Sequence, residues 1–392
     1  MNMIIIYGIY PPIKSGAGDY ARQLGKSLTK NGHSISVITS LVPEIESIYI
    51  KDKIVVNAII KDWRYKGLFK GELKSLVNKI KEINPDILIT IYPQGKDNVL
   101  PYIIKLALPK IKLLTIFFMF SVDGPIYKIK NIIYNIFQLG VSFFLCVSTN
   151  WLLFHDEALF KFFKKIPMFQ RKCHLVPMAP VIDIDLNRNY SIANIKKYRR
   201  IIKFPINCKL IGFFGFWHGS KGVDILIRAF SKLRAYRDDI KLVLIGGQKG
   251  GVRFKETLYL INNIDISSDI FITGHLNSSE MINYLLGIDI CVLPYRYFMT
   301  GRSSLALSIK LGLPIITTSY CQKSLLLEDH VNAILVPPNN IDKLSTAMDE
   351  LLNNNKLRQK LVENIANIGR QIDWNIIVRK IVNLYNKEKE VR

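Results

Sequence analysis

The sequence predicts an α/β protein with two Rossmann-like domains in tandem, and three observations carry that prediction. Uninterrupted apolar runs of strand length alternate with amphipathic helical patterns through both halves. Strands without a polar face belong to parallel sheets covered by helices on both sides. The pattern lapses between Val176 and Lys209, where Pro177, Pro180 and Pro205 bracket the basic stretch Asn187 to Lys203. With 392 residues, 49% of them hydrophobic, each half is long enough to bury a core of its own.

In order, strands are expected at Met3–Tyr7, Ser34–Thr39, Ile87–Ile91, Lys112–Phe118 and Phe143–Val147. The second half continues with Leu210–Phe214, Lys241–Ile245, Ile270–Thr273, Ile290–Leu293 and Pro314–Thr317. The domains are then 1–180 and 181–372, with a hinge near Ala179–Ile182. Residues 373–392 form a charged helix with Ile376, Ile377, Ile381, Val382 and Tyr385 on its apolar side, and its crossing back to the first domain is left open. The stretch Asn131 to Phe154 has no charged residue and by length could span a bilayer, but it contains Asn135, Gln138, Ser142, Ser148, Thr149 and Asn150. A helix at Ile129–Leu139 running through Gly140 into a buried strand is the preferred reading.

The formal charge of +23 is spread along the chain, +11 in residues 1–190 and +12 in the rest. Such a field favours anionic partners: nucleic acid, the anionic face of a membrane or phosphorylated substrates. Cys146, Cys173, Cys208, Cys291 and Cys321 lie far apart without C-x-x-C spacing, which argues against a zinc site or disulfide framework and for a reducing compartment. The start, MNMIIIYGIYPP, lacks a basic n-region and a small-residue cleavage site, so a cytoplasmic protein is expected.

Two turns carry the candidate chemistry. Lys209 to Ser220, KLIGFFGFWHGS, followed by Lys221-Gly222-Val223-Asp224 and ILIRAFSKL, reads as a buried strand, a glycine-broken turn presenting a lysine, and a helix. Backbone N–H groups, the positive helix end and an ammonium converge there on the place where a phosphate would sit. In the first half, Ser15-Gly16-Ala17-Gly18 leads into a helix expected to begin near Asp19, with Asp19 as its cap in the purely structural reading.

These segments resemble the retaining glycosyltransferases of family 4. The blocks are YPPIKSGAGDYARQLGKSLTKNGHSISVITS, GFFGFWHGSKGVDILIRAF, ITGHLNSSEMINYLLGIDICVLPY, SLALSIKLGLPIITTS, EDHVNAILVPPNNIDKLSTAM and the closing IDW, and together they cover nearly the whole chain. The resemblance implies a GT-B fold, two Rossmann-like domains facing a cleft, with a nucleotide-sugar donor on the second domain and an acceptor on the first. It implies donor contacts for Gly16, Ala17, Gly18 and Lys221, and acceptor contacts for Asp19 and Tyr20. Lys221 matches the family's diphosphate-binding lysine, whose charge stabilises the leaving group.

Departures from the family pattern are equally visible. Phe216 stands where an arginine is usual, and counting back from Gly312 puts Leu307 and Met299 at the positions of two customary glutamates. The turn Gly301-Arg302-Ser303-Ser304 can itself bind phosphate through N–H groups, hydroxyls and a guanidinium, so Arg302, Ser303 and Ser304 are donor candidates and Arg302 the replacement cation; the bland reading is a serine cap with Arg302 solvated. Phe117 falls near the place of a frequent histidine, which leaves Asp123 as the third catalytic candidate beside Lys221 and Arg302, or simply as a loop residue before Gly124-Pro125.

No cofactor is implied beyond the nucleotide diphosphate sugar as substrate, and no metal. Asp183-Ile184-Asp185 has metal-binding spacing but lies in the expected hinge. Trp63–Lys70 and Phe160–Lys165 mix aromatic rings with cations and suit either an anionic membrane interface or a solvated helix face. No nucleic-acid module is recognisable. The expected function is transfer of a sugar to a glycan or lipid-linked acceptor in cell-envelope polysaccharide biosynthesis. Two rivals stay open: a degenerate GT-B protein that binds a nucleotide sugar or a partner as a scaffold, and a sugar-nucleotide epimerase.

Overall fold

A computed structural model of the chain describes residues 1–13, 15–42, 48–63, 67, 71–92, 100–117, 140, 143–182, 195–217, 219–247, 252–296, 302–321 and 326–390. It divides into two compact units, Met1–Val181 with Asp373–Arg392, and Ile182–Phe298 with Arg302–Ile372.

The first unit holds β1 (Asn2–Ile6), β2 (Ser34–Ser40), β3 (Ile48–Lys51), β4 (Ile54–Ile60), β5 (Ile87–Tyr92), β6 (Leu113–Phe117), β7 (Trp151–Phe154) and β8 (Cys173–Leu175), in the order β3-β4-β2-β1-β5-β6-β7-β8. Its helices are α1 (Gly16–Lys30), α2 (Leu73–Ile83), α3 (Leu100–Ala107) and α4 (Glu157–Lys164). All neighbouring strands run parallel except the β3–β4 hairpin, whose turn residues Asp52 and Lys53 take positive φ of 56° and 63°, the geometry that matches strand twist. The β1 and β5 side chains are buried throughout or nearly so, as strands between two helical layers must be.

The fifth expected strand is a helix instead. Residues 143–148 are helical, and the sheet position goes to β7. Asn150 sets that exchange: its N–H donates to the Leu113 carbonyl at 2.8 Å and its side-chain oxygen accepts from the Leu113 N–H at 3.0 Å, which pins the chain to β6 just ahead of Trp151. Lys172 Nζ donates to the carbonyls of Cys146 and Val147 and so closes the C-terminal end of the 143–148 helix. The uncharged stretch Asn131–Phe154 therefore ends in a sheet strand, and residues 129–139 lie outside the described ones. Among the described residues no helix is long and apolar enough to cross a membrane.

The second unit holds α5 (Ile195–Ile201), β9 (Lys209–Phe214), α6 (Val223–Arg234), β10 (Ile240–Ile245), α7 (Val252–Asn262), β11 (Ile270–Gly274), α8 (Ser278–Gly287), β12 (Ile290–Leu293), α9 (Ser303–Lys310), β13 (Ile315–Thr318), β14 (Ile334–Val336), α10 (Ile341–Asn353) and α11 (Asn355–Gln371). Its sheet is parallel, in the order β11-β10-β9-β12-β13-β14. The chain therefore winds outward from β9 in one direction and then from β12 in the other, leaving a switch point between these two strands. The basic stretch read as a lapse contains α5, whose Arg199 is buried. Its guanidinium pairs with Asp289 and donates to the carbonyls of Gly287 (3.0 Å), Pro205 (3.2 Å) and Cys208. Asp289 also accepts from the Leu210 N–H at 2.7 Å, so both charges are satisfied.

The last helix, α12 (Trp374–Glu390), packs on α1 in the first unit. Trp374 Nε1 donates to the Pro180 carbonyl at 2.9 Å, and Tyr385 donates to Asp86 at 2.7 Å. The buried face is Ile377, Val378, Ile381 and Leu384; Ile376, Val382 and Tyr385, expected on it, are only partly covered.

Candidate active site

The loops leaving the carboxyl ends of β9 and β12 meet at the switch point, where an open α/β sheet offers its ligand crevice. After β9, a single 3-10 turn, Gly219–Lys221, precedes α6. Gly222 closes that turn with φ 68°, and a Cβ there would stand 2.1 Å from the Pro294 carbonyl oxygen. Only glycine fits so close to the β12 end, and this approach turns Lys221 toward Tyr295 and Ser304.

The Lys221 ammonium donates to Ser304 Oγ at 3.3 Å and lies 4.8 Å from the centroid of the Tyr295 ring. The Arg302 guanidinium, 5% exposed, lies 4.0 Å from the same centroid and donates to Cys321 Sγ at 2.9 Å. Tyr295 Oη and Ser304 Oγ are hydrogen-bonded at 2.8 Å. Tyr295 is fully buried, and its ring face offers negative potential to both cations. Burial, reinforced by the Arg302 charge, pushes the Lys221 pKa down to about 8. Two cations brought onto one ring concentrate positive charge where a diphosphate would be well accommodated.

Helix α9 starts at Ser303 with Arg302 at its N-cap, and among the described residues no side chain caps it. Neither Ser303 nor Ser304 is the cap that the bland reading supposed: Ser304 is buried in the Tyr295–Lys221 network. Leu307, at the place of a family glutamate, is fully buried in α9. Phe216 is half-exposed just past β9. Tyr295 is the member of the cluster to which sequence reading assigned no role; the available signal was an aromatic residue directly following an apolar strand that ends near the phosphate turn.

In the first unit, α1 begins at Gly16, earlier than expected. Ser15, not Asp19, is its cap, with Oγ accepting from the Gly18 N–H at 3.3 Å. Gly16, Ala17 and Gly18 thus form the first helical turn. A Cβ on Gly18 would stand 2.2 Å from the Ile9 carbonyl oxygen, so this glycine lets the helix approach the chain leaving β1, whereas a Cβ on Gly16 would meet nothing within 4 Å. Asp19 lies in that turn, partly exposed.

Tyr20, expected at the acceptor, is instead fully buried. Its hydroxyl lies 2.9 Å from His155 Nε2 and its ring 4.9 Å from Trp374. His155 Nδ1 faces the carbonyls of Val176 and Pro177, so Nδ1 carries the proton and Nε2 accepts from Tyr20. Burial holds His155 neutral, with its pKa down to about 4. Phe117 ends β6 stacked on Phe154 at 4.6 Å. Asp123, Met299 and Asp183–Asp185 lie outside the described residues. Among the described residues no group of His, Cys, Asp and Glu could hold a metal ion.

A cleft of about 290 Å³ borders the same turn, lined in part by Trp217, Asp224, Arg228, Glu256 and Arg296. Arg296 pairs with Asp224 across it.

Residues 194–368, which include every member of this cluster, match the family model described as glycosyl transferases group 1. Over somewhat less than half of the chain, they match a group 1 glycosyltransferase domain. The chain is 25% identical over 195 residues to an uncharacterized glycosyltransferase of Methanocaldococcus jannaschii, covering 50% of this chain and 49% of that protein. It is 21% identical over 215 residues to the D-inositol 3-phosphate glycosyltransferase of Corynebacterium aurimucosum, covering 54% and 51%. The chain spans about half the length of the curated relatives it matches.

Solved structures extend the likeness beyond the group 1 domain. Sucrose-phosphate synthase from Thermosynechococcus elongatus superposes with a TM-score of 0.78 at 14% identity over 100% of both chains. HepE of Anabaena, in complex with UDP and glucose, gives 0.73 at 14% identity over 98% of both. The fold is therefore GT-B, with the group 1 domain as its second unit.

Proposed function

We propose that the protein is a glycosyltransferase that moves a sugar from a nucleotide diphosphate sugar to a hydroxyl of a glycan or lipid-linked acceptor. The observation that carries this reading is the pair of cations, Lys221 and Arg302, gathered on the Tyr295 ring at the switch point of the group 1 domain. As the bond between the sugar and the diphosphate breaks, negative charge grows on the departing oxygen, and the two cations with the uncapped N-terminus of α9 stabilise it. Ser303 and Ser304 add hydroxyls at the same helix end, and Gly16 to Gly18 are the donor candidates of the first unit. HepE of Anabaena has been solved with UDP and with UDP-glucose, which supports the donor class. Charge neutralisation by side chains supports a metal-independent reaction; retention of configuration, cell-envelope polysaccharide biosynthesis and a cytoplasmic location complete the proposal.

The test is a thermal-shift and hydrolysis screen of uridine, guanosine and adenosine diphosphate sugars with the wild type and Lys221→Ala, repeated in EDTA. The expected result is stabilisation and slow donor cleavage by one donor class, lost in the variant and unchanged by EDTA. Binding without cleavage, even with membrane extract as acceptor, establishes the scaffold alternative, and no binding removes the phosphate site altogether.

A further inference from the structure

The first unit exposes a run of aromatic side chains. Phe144 is 54% exposed, Phe162 56% and Met168 50%, with Phe143, Val147 and Tyr102 less so. Ring contacts tie them together in a series that runs through buried core rings: Tyr102 to Phe144 at 5.6 Å, Phe144 to Phe143 at 6.2 Å and Phe143 to the buried Phe169, next to Met168, at 5.6 Å. The series continues from Phe169 to Phe163 at 6.2 Å and from Phe163 to Phe162 at 5.4 Å. Phe163 and Phe169 root it in the core cluster of Phe117, Phe154 and Cys173. A patch of large rings that folding leaves in water marks an interaction surface.

Cations surround it. Lys164, Lys165 and Arg171 are exposed on the same segment, and Lys161 is paired with Glu157. His174 of β8 is held neutral by burial first and then by the charges of Lys380, Lys164 and Lys387. A second copy of the chain seated here about a two-fold axis would set the same cations against one another, whereas a surface of phosphate headgroups complements them.

We propose that this face of the first unit docks on an anionic lipid bilayer, with Phe143, Phe144, Phe162 and Met168 entering the interface and Lys164, Lys165 and Arg171 meeting lipid phosphates. The arrangement is that of interfacial anchoring, in which buried apolar area and attraction between cations and anionic lipids add together. This inference goes beyond the donor reading and stands or falls separately from it.

The experiment is co-sedimentation of the purified full-length protein with vesicles of phosphatidylcholine alone or mixed in equal parts with phosphatidylglycerol. Binding is expected to the mixed vesicles, roughly tenfold or more weaker to the neutral ones, and weakened by salt. Phe144→Glu with Phe162→Glu, and separately Lys164→Glu with Lys165→Glu, should each cut binding by roughly tenfold or more while leaving the melting temperature and the donor-induced shift intact. Lys356→Glu with Lys360→Glu, an exposed pair in α11 of the second unit, should retain it. Absence of vesicle binding, equal loss in the α11 pair, or a dimer in sedimentation that Phe144→Glu dissolves overturns the proposal.

Discussion

At Lys221 the chain holds an ammonium whose pKa is down at about 8, through burial first and then the Arg302 charge. A diphosphate binds the charged form, so donor affinity should be level below pH 8 and fall as pH rises through that value, by about tenfold per unit where only the charged form binds. In Lys221→Arg, whose guanidinium stays charged, titration calorimetry should find weaker binding with no such decline; an identical decline in the variant would remove Lys221 as the titrating group. Tyr295 is the companion case. Tyr295→Phe keeps the ring face and loses the bond to Ser304, for a donor-affinity loss of about twofold to tenfold. Tyr295→Leu removes the ring from both cations and should cost more, while shifting the onset of the pH decline downward because the free ammonium loses support. A Leu variant with unchanged onset would mean that the ring does not support the lysine.

Among the elements, α1 and α12 show how one residue changes meaning with its surroundings. Tyr20 lies within a glycine-led motif that resembles a ligand loop, yet its hydroxyl is spent on His155 and its ring on Trp374. Tyr20→Phe strands the buried His155 Nε2 without a donor, an expected loss of about 1–3 kcal/mol in urea unfolding with transfer rate per folded molecule unchanged. Loss of transfer with full stability would return Tyr20 to the acceptor. The strand expected at Phe143–Val147 is the complementary error: its apolar, aromatic composition fits a sheet, but Leu145 and Cys146 bury one side while Phe143 and Phe144 stay in water, and Asn150 directs the next segment into the sheet. Short apolar runs do not distinguish these outcomes by periodicity.

For the whole molecule, the sequence by itself determined what local pattern encodes. Alternation of buried strands with amphipathic helices set the α/β class and two units, because burial on both faces leaves no other pattern. Gly222 before α6 and the Gly-Arg-Ser-Ser turn before α9 marked the places where backbone N–H groups point outward. The short edge strands β8 and β14 carry too few residues for any period to register, and the antiparallel β3 is specified by its turn and its β4 partner. What only the tertiary structure decided is which distant residues meet. Lys221 and Ser304 are 83 positions apart, and Tyr20 and His155 are 135 apart. Strand order brings each pair together, and strand order follows from how the whole sheet closes its core, an energy summed over many contacts that no single segment contains.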